Sequence, residues 1–278
     1  ERGRRAEPER DRREHDAPVE ARVLESGRRV GRAGDDRPQQ PPGERESGGG
    51  AGRAEQQALG EQLAHQLAAL DMLARETAVL RHLQGHLPLP IPNPIYTSLD
   101  RCEVGRAFTG YRMIPGEAVN IYQLEGRYDS ATCQHLADQL AVFLRALHTI
   151  PTEGLSAERD ERAFWADLYA RIQEKLFPLM SSLARDGVRE HFEPYLSDPH
   201  NFDYSRVVIH GDFGTGNILF DPAWLEFTGV IDFGCEGLGD PALDFAAIYG
   251  WQGRGATFAK RFFKLYPGLE STMDRVRF

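Results

Sequence analysis

The chain has 278 residues and carries 33 lysine and arginine residues against 42 aspartate and glutamate residues, a formal net charge of −9 at pH 7. This acidic balance argues against a nucleic-acid-binding protein, which normally presents a basic face, but it is compatible with a cationic small-molecule substrate. The three cysteines are widely separated and form no C-x-x-C pair, so neither a disulfide framework nor a zinc site is indicated.

Membrane association is not indicated either. No run of apolar residues approaches the roughly 18 that a membrane-spanning helix needs. The first twenty residues are charged throughout and lack the apolar stretch of a signal peptide. We therefore expect a cytoplasmic protein with no membrane partner, and the composition leaves its oligomeric state open.

The N-terminal segment, residues 1–54, differs in composition from the rest of the chain. Tyr96 is the first aromatic residue, and the segment contains only four large apolar residues: Val19, Val23, Leu24 and Val30. Arginine, glutamate, glycine and proline dominate, which is typical of a segment that cannot bury enough apolar surface to fold. We predict that residues 1–54 are a disordered, low-complexity segment, with the glycine run at 48–50 as flexible linker.

Three later stretches have the apolar spacing of amphipathic helices. In the first, Glu55 to Leu83, leucines recur mostly at three- and four-residue intervals. The second runs from Ala131 to Ile150 and ends near His148, which we interpret as a helix-terminal residue rather than a catalytic one. The third, Phe164 to Leu176, carries an aromatic and aliphatic stripe that we predict to be core.

Two segments between the first two helices are predicted to be extended. Leu87 to Pro94 contains four prolines, and each proline biases the residue before it away from helix. Phe108 to Gly116 has the residue preference of a strand and ends in a Pro-Gly turn.

A β-hairpin with polar ends is predicted between Arg206 and Gly234. An apolar strand, 206–209, leads into His210-Gly211-Asp212, and a second short strand, 218–220, follows Asn217. Asp221-Pro222 marks a turn, and the returning strand, 227–231, ends at Asp232-Phe233-Gly234. Such a hairpin would bring Asp232 back beside Asn217.

The order of these polar residues fits phosphoryl transfer. That reaction needs a carboxylate near the attacking hydroxyl, together with oxygen ligands that hold Mg²⁺ against the phosphates. Asp212, Asn217 and Asp232 have the required side chains in the required order. The alternative is an ordinary polar hairpin in which both motifs occur by chance, and the correct order of the two motifs disfavours it.

The pattern H-G-D-x-x-x-x-N-I-L, followed by I-D-F-G and G-D-P-A-L-D-F-A, resembles the aminoglycoside phosphotransferase family, whose members are related to choline kinases. The resemblance implies an α+β, protein-kinase-like fold of two lobes, with a mostly helical C-lobe and a short β-hairpin at the catalytic loop. It implies Asp212 as the catalytic base, Asn217 and Asp232 as Mg²⁺ ligands, and ATP or GTP as phosphoryl donor.

The same resemblance assigns further residues. His210, Asp240 and Asp244 would support the catalytic loop, although Asp240 reads equally well as a helix N-cap and Asp244 as a solvated acid. Tyr111, Arg112 and Ile114 would lie at the hinge that receives the purine, and an edge strand with one buried tyrosine is the alternative for Tyr111.

The N-lobe departs from the family pattern. Glu76 stands where the family places the helix glutamate that pairs with a strand lysine, but the first lysine of the chain is Lys175, and no glycine-rich hairpin precedes it. We therefore predict a depleted N-lobe and allow that Glu76 is a surface carboxylate. The resemblance divides the chain into the segment 1–54, a partial N-lobe at 55–110, and a hinge with C-lobe at 111–278 that we expect to be cut short.

The acceptor is predicted from charge and resemblance together. Family members line their aminoglycoside cleft with carboxylates, and Glu236, just past the metal-binding aspartate, is our candidate for contact with a substrate amine. The function implied is Mg²⁺-dependent transfer of a nucleotide γ-phosphoryl group to a hydroxyl of an aminoglycoside or similar amino-sugar. The alternatives are a kinase of choline, a homoserine-like metabolite, a macrolide or a ketosamine, and a non-catalytic remnant of the kinase fold.

Overall fold

A computed structural model describes residues 19–23, 51–100, 106–155, 160–233, 237–250, 256–266 and 269–278. The described residues form an α+β protein with several helices and three small sheets. Within these ranges no helix is both long and apolar enough to cross a membrane.

The N-terminal sheet has three antiparallel strands, β1 (Val19–Val23), β2 (Tyr96–Ser98) and β3 (Phe108–Arg112), with β3 in the middle. β1 lies inside the segment that we predicted to be disordered, so the prediction is wrong for these five residues. The physical reason is local, because V-E-A-R-V alternates apolar and charged residues with the period of a strand. The average composition of the segment conceals that alternation. A helix that begins at Ala51 also overlaps the last four residues of the segment, and the division of the chain into domains stays a prediction.

The long helix α1 (Ala51–Leu83) packs against this sheet and begins four residues before the predicted start. Its C-terminal half buries Leu73, Leu80 and Leu83 almost completely. The hydroxyls of Thr77 on α1 and Thr109 on β3 lie 2.7 Å apart, which ties the helix to the middle strand through a buried hydrogen bond.

The centre of the C-terminal part is α3 (Ser130–Leu147), which matches the helix predicted over 131–150. All five predicted core residues of this helix are buried: Leu136, Leu140, Phe143, Leu144 and Leu147. α2 (Ile121–Arg127) and α7 (Ala256–Leu265) pack against it, and α6 (Ala242–Tyr249) packs against α8 (Met273–Arg277). Phe245, Phe258 and Phe262 join the same core and are at most 1% exposed.

The helices α4 (Glu161–Lys175) and α5 (Ser182–Ser197) form a peripheral pair, so the prediction that the Phe164–Leu176 stripe is core is largely wrong. Within the stripe only Tyr169 is buried, whereas Phe164 and Leu176 are exposed. α4 packs against α5 and the short 3₁₀ turn Phe177–Leu179, and this contact covers only part of the apolar stripe.

Two small sheets connect the helices to the loops of interest. One contains β4 (Glu117–Ala118), β6 (Ile218–Asp221) and β7 (Glu226–Val230), with β6 in the middle. The other pairs β5 (Val207–Val208) with β8 (Leu238–Gly239). One residue separates β5 from His210, and one residue separates β7 from Asp232, so the predicted motifs stand just past strand ends.

Candidate active site

The predicted hairpin is present and brings its two polar ends together. β6 and β7 pair antiparallel with Ile218 opposite Val230. One step beyond the strands, the Ile231 N–H donates to the Asn217 carbonyl oxygen at 2.9 Å. Because Asp232 follows Ile231 directly, this bond places the backbone of Asp232 beside that of Asn217, as the sequence predicted.

Asp212 presents an exposed carboxylate that Asn217 holds from one side. The Asn217 amide nitrogen Nδ2 donates to the Asp212 carbonyl oxygen at 2.9 Å and to Asp212 Oδ2 at 3.1 Å. Gly214 N–H donates to the Asp212 carbonyl at 2.7 Å, which closes the loop before the 3₁₀ turn Thr215–Asn217. These bonds fix the loop while the carboxylate itself remains accessible to solvent.

His210 is fully buried and joins the two motifs. Its Nε2 lies 2.9 Å from the Ile231 carbonyl oxygen, which can only accept, and its Nδ1 lies 3.2 Å from the Asp212 N–H, which can only donate. The ring is therefore neutral, with its proton on Nε2. In this tautomer one imidazole links the loop of Asp212 to the residue before Asp232.

Asp244, fully buried at the start of α6, holds the same loop from behind. Its Oδ1 accepts from Gly211 N–H at 2.8 Å, and its Oδ2 accepts from His210 N–H and from His148 Nε2, each at 3.0 Å. Burial alone would raise the pKa of this carboxyl, but the hydrogen bond and charge of His148, together with smaller contributions from His210, outweigh burial and hold the pKa below its ordinary value. The alternative of a solvated acid is therefore wrong for Asp244.

His148 and Tyr266 are contacts that the sequence analysis missed. His148 stands at the end of α3, 96 residues before Asp244, and its Nδ1 lies 2.8 Å from the Tyr266 hydroxyl. Burial and the charge of Asp244 raise the pKa of Tyr266 to about 12, so its phenol stays protonated at neutral pH. The chain Tyr266–His148–Asp244 thus supports the loop through side chains from three helical segments.

Asp240 has a different role from Asp244. Its Oδ1 accepts from Ala242 N–H at 2.9 Å, which makes it a cap for the first turn of α6. Its carboxylate also binds Arg275 of α8, with Nε at 2.6 Å from Oδ2 and Nη2 at 3.2 Å from Oδ1. Pro241 occupies the N-cap position of α6, so Asp240 caps the helix only through its side chain, from one residue further out than the N-cap interpretation placed it.

Asp232 adopts a backbone conformation that favours glycine. Its φ is +66°, in the left-handed region, which costs a non-glycine residue of order 1 kcal/mol. Residues held in this region tend to cluster at functional sites, and the half-buried Asp232 lies two residues after the end of β7. This strained conformation was not predicted from the sequence.

The proposed purine-binding residues lie on and after the middle strand β3. Tyr111 is half-buried and Arg112 exposed, and since β3 is flanked by β1 and β2, the edge-strand alternative for Tyr111 is wrong. Ile114 packs closely over Gly229 of β7, where an added Cβ would lie 2.7 Å from Ile114 Cγ2. Ile114 of the proposed hinge therefore packs on the strand that precedes Asp232.

The two remaining predicted residues differ in outcome. Glu76 is only 7% exposed on α1, so the alternative of a surface carboxylate is wrong. Glu236 lies outside the described residues, and its contact with a substrate amine stays a prediction.

The donor set suits Mg²⁺ bound together with phosphates. In the described parts of the chain, no group of three His, Cys, Asp or Glu side chains could hold an ion alone. Mg²⁺ characteristically binds one or two carboxylates plus substrate phosphates and water rather than an all-protein cage. Asn217 and Asp232 supply two oxygen-bearing side chains of this kind, with the Nδ2 of Asn217 already turned toward Asp212.

Comparison with known proteins gives consistent similarities. The model of the phosphotransferase enzyme family matches residues 62–278. The chain is 29% identical over 171 residues to an aminoglycoside 3'-phosphotransferase of Escherichia coli, covering 59% of this chain and 60% of that protein. It is 30% identical over 199 residues to viomycin phosphotransferase of Streptomyces vinaceus, covering 65% and 63%.

A solved structure is similar as well. The GDP complex of aminoglycoside 2'-phosphotransferase-IIIa superposes with a TM-score of 0.63 at 25% identity, covering 75% of this chain and 71% of that one. This similarity confirms the predicted kinase-like fold. The chain spans about three fifths of the length of the curated relatives it matches.

Proposed function

Because the chain belongs to the phosphotransferase enzyme family, as its motifs predicted, we propose that it transfers the γ-phosphoryl group of ATP or GTP to a hydroxyl of an aminoglycoside or similar amino-sugar. The observation that carries the proposal is the exposed carboxylate of Asp212, held by Asn217 at 3.1 Å. The Ile231–Asn217 backbone bond brings Asp232 to the same loop.

In the proposed reaction, Asp212 orients the acceptor hydroxyl and takes its proton as the oxygen attacks the γ-phosphorus. The bond from that phosphorus to the bridging oxygen breaks, and the nucleoside diphosphate leaves with the electron pair. The Asn217 amide donates to Oδ2 and to the carbonyl oxygen of Asp212. The carboxylate is therefore positioned before the acceptor arrives.

Asn217 and Asp232 would hold Mg²⁺ beside the phosphates. When bound, the ion neutralises charge on the β- and γ-phosphate oxygens. The left-handed backbone of Asp232 sets the direction in which its side chain leaves the chain. The imidazole of His210 holds the preceding residue through the Ile231 carbonyl oxygen.

The nature of the donor and acceptor is supported by the named relatives. The GDP in the complex of aminoglycoside 2'-phosphotransferase-IIIa favours a purine nucleotide donor, with Tyr111, Arg112 and Ile114 at the hinge and buried Glu76 on α1 as its proposed contacts. The aminoglycoside acceptor follows the name of the Escherichia coli relative. The net charge of −9 suits such a cationic acceptor, with Glu236 as the proposed contact for one of its amines.

A second acceptor is favoured by one observation. The Streptomyces vinaceus relative, at 30% identity, is a viomycin phosphotransferase, so a cationic antibiotic of another class is the alternative to an amino-sugar. The catalytic loop would perform the same transfer on either acceptor. A panel of acceptors separates the two.

The decisive experiment measures transfer of labelled γ-phosphate from Mg-ATP and Mg-GTP to aminoglycosides and viomycin. Asp212→Asn is the blank, and Asp274→Asn, at an exposed aspartate of α8, is the matched control. We expect Asp212→Asn to keep the parent melting temperature and lose about 100-fold or more in turnover, while Asp274→Asn keeps both.

Two outcomes would overturn the proposal. If Asp212→Asn retained more than about a tenth of the parent turnover, Asp212 would not be the catalytic base. If folded parent protein transferred no phosphate to any acceptor above the blank, the chain would be a non-catalytic remnant of the fold.

A further inference from the structure

A second cluster of buried ionisable side chains lies where α4, α5, β8 and α8 meet. Asp240 is 3% exposed, and the side chain of Arg275 is 11% exposed. Arg275 binds Asp240 through two nitrogens, and its guanidinium carbon lies 4.8 Å from the ring centroid of Tyr204. Glu161, the first residue of α4, is 6% exposed.

The cluster holds two carboxylates and one guanidinium. Burial raises the pKa of Tyr204, and the charges of Glu161 and Asp240 raise it further. Burial and the charge of Asp240 also raise the pKa of Tyr195 to about 12, against the opposing charge of Arg275. Both phenols therefore stay neutral at pH 7, and Arg275 is the cation that pairs with Asp240.

This cluster is connected to the catalytic loop by backbone hydrogen bonds. β8 pairs with β5, and the Ile209 N–H donates to the Gly237 carbonyl at 3.0 Å, directly before His210. Asp240 then caps α6 through Ala242 N–H. One turn further along α6, Asp244 holds the His210 and Gly211 N–H groups that precede Asp212.

We propose that Arg275 is a positioning residue for phosphoryl transfer. Its fork clamps both oxygens of Asp240, which fixes the first turn of α6 and therefore the direction in which Asp244 meets the catalytic loop. The planar guanidinium matters because a lysine would supply charge without binding both oxygens at once. This inference rests on the proposed function, because the loop that is positioned is the loop of the proposed base.

The C-terminal end of α8 is attached to α5, which holds the helix that carries Arg275 in place. The ring of Phe278 stacks on Tyr195 with 3.5 Å between centroids. Its carbonyl oxygen lies 2.9 Å from His191 Nε2 on α5. Arg275 thus lies on a short helix that is attached to the α4–α5 pair on one side and to Asp240 on the other.

A residue that only stabilised the fold would behave differently from a positioning residue. Loss of stability lowers the folded fraction but leaves the turnover of each folded molecule unchanged. Displacement of the loop lowers kcat in folded protein while the KM values for nucleotide and acceptor change little. The separation of kcat from KM, corrected for the folded fraction, distinguishes the two roles.

The test compares Arg275→Lys with Arg277→Lys, a neighbour on α8 whose side chain is 55% exposed and pairs with Asp274. We expect Arg275→Lys to lose about tenfold in kcat per folded molecule with KM within about twofold, and Arg277→Lys to match the parent. If Arg275→Lys does not fold, Asp240→Asn replaces it, because its amide oxygen can still cap Ala242 while the ion pair is lost. A parent-like kcat in the folded variant would overturn the proposal.

Amide hydrogen exchange gives a readout that needs no activity. We expect the amides of His210 and Gly211 to exchange about tenfold faster in Arg275→Lys than in the parent or in Arg277→Lys. Unchanged exchange would overturn the positioning role. If the parent transferred no phosphate, the proposed function would fail alone, and the exchange rates would still decide whether Arg275 holds this loop.

Discussion

Replacing Asp244 by asparagine removes the charge that three buried donors share behind the catalytic loop. Oδ2 receives His210 N–H and His148 Nε2–H, and Oδ1 receives Gly211 N–H. An amide can keep its oxygen at the Oδ2 position, but its NH₂ group then faces the Gly211 N–H. The variant therefore loses charge assistance in two bonds and leaves one buried donor without an acceptor.

The magnitude follows from these contacts. A hydrogen bond to a charged group contributes about 1 kcal/mol more than a neutral one, and an unpaired buried donor costs about 1–3 kcal/mol. Removal of a buried charge offsets part of this loss. We expect the free energy of unfolding to fall by roughly 2–4 kcal/mol, which a domain with about 5–15 kcal/mol of stability can survive in the folded state.

Urea unfolding and turnover of the folded variant test this reasoning together. Asp244→Asn should unfold at lower urea concentration and lose about tenfold or more in kcat, since the His210–Gly211 backbone is no longer held on both oxygens. Asp274→Asn, at an exposed position of α8, controls for the loss of a carboxylate. A free energy of unfolding within about 0.5 kcal/mol of the parent, together with unchanged kcat, would refute the bracing role.

Three smaller predictions follow from single contacts. The folded pKa of Asp244 lies below its ordinary value of 3.8, so the stability that it contributes is complete above that pH and declines only at lower pH. The free energy of unfolding should therefore fall less steeply with decreasing pH in Asp244→Asn than in the parent. Tyr266→Phe removes the hydroxyl 2.8 Å from His148 and should cost about 1 kcal/mol in urea unfolding. Gly116→Ala should cost about 2 kcal/mol or more, because φ is +132° and a Cβ would collide with β7, whereas Gly187→Ala, with no atom within 4 Å, should stabilise α5 slightly.

The hairpin of the candidate active site could be predicted from sequence because its determinants are local. The β6–β7 hairpin depends on short apolar runs and a turn, all within about 25 residues. Asp212, Asn217 and Asp232 follow from where those strands end. Helix α3 was equally accessible, since its buried leucines recur with the helical period.

The supports of the loop could not be predicted because they are contacts between distant elements. His148 and Tyr266 lie 118 residues apart, and Arg275 lies 35 residues beyond Asp240. Periodicity indicates which face of a helix is apolar but not which polar side chain meets which partner. The stripe on α4 shows the same limit, because an apolar face was correctly found yet the structure covers only part of it.

The strand β1 shows the opposite error, in which a local signal was lost in an average. Charged and proline-rich residues surround V-E-A-R-V, so the composition of the whole segment indicated disorder. Its pairing partner, β3, supplies the remaining hydrogen bonds from 85 or more residues away, and such pairing lies beyond any window-based prediction.

The strained and exposed residues at this loop favour an enzyme over a non-catalytic remnant of the fold. A hairpin kept only for packing would gain nothing from a left-handed Asp232 or from an exposed Asp212 held by Asn217. The left-handed backbone of Asp232 costs stability locally, and the solvent-exposed carboxylate of Asp212 adds none through packing. Asp212 supplies one accessible carboxylate, and Asn217 and Asp232 supply two oxygen-bearing side chains at the same loop. Phosphoryl transfer requires side chains of these kinds together.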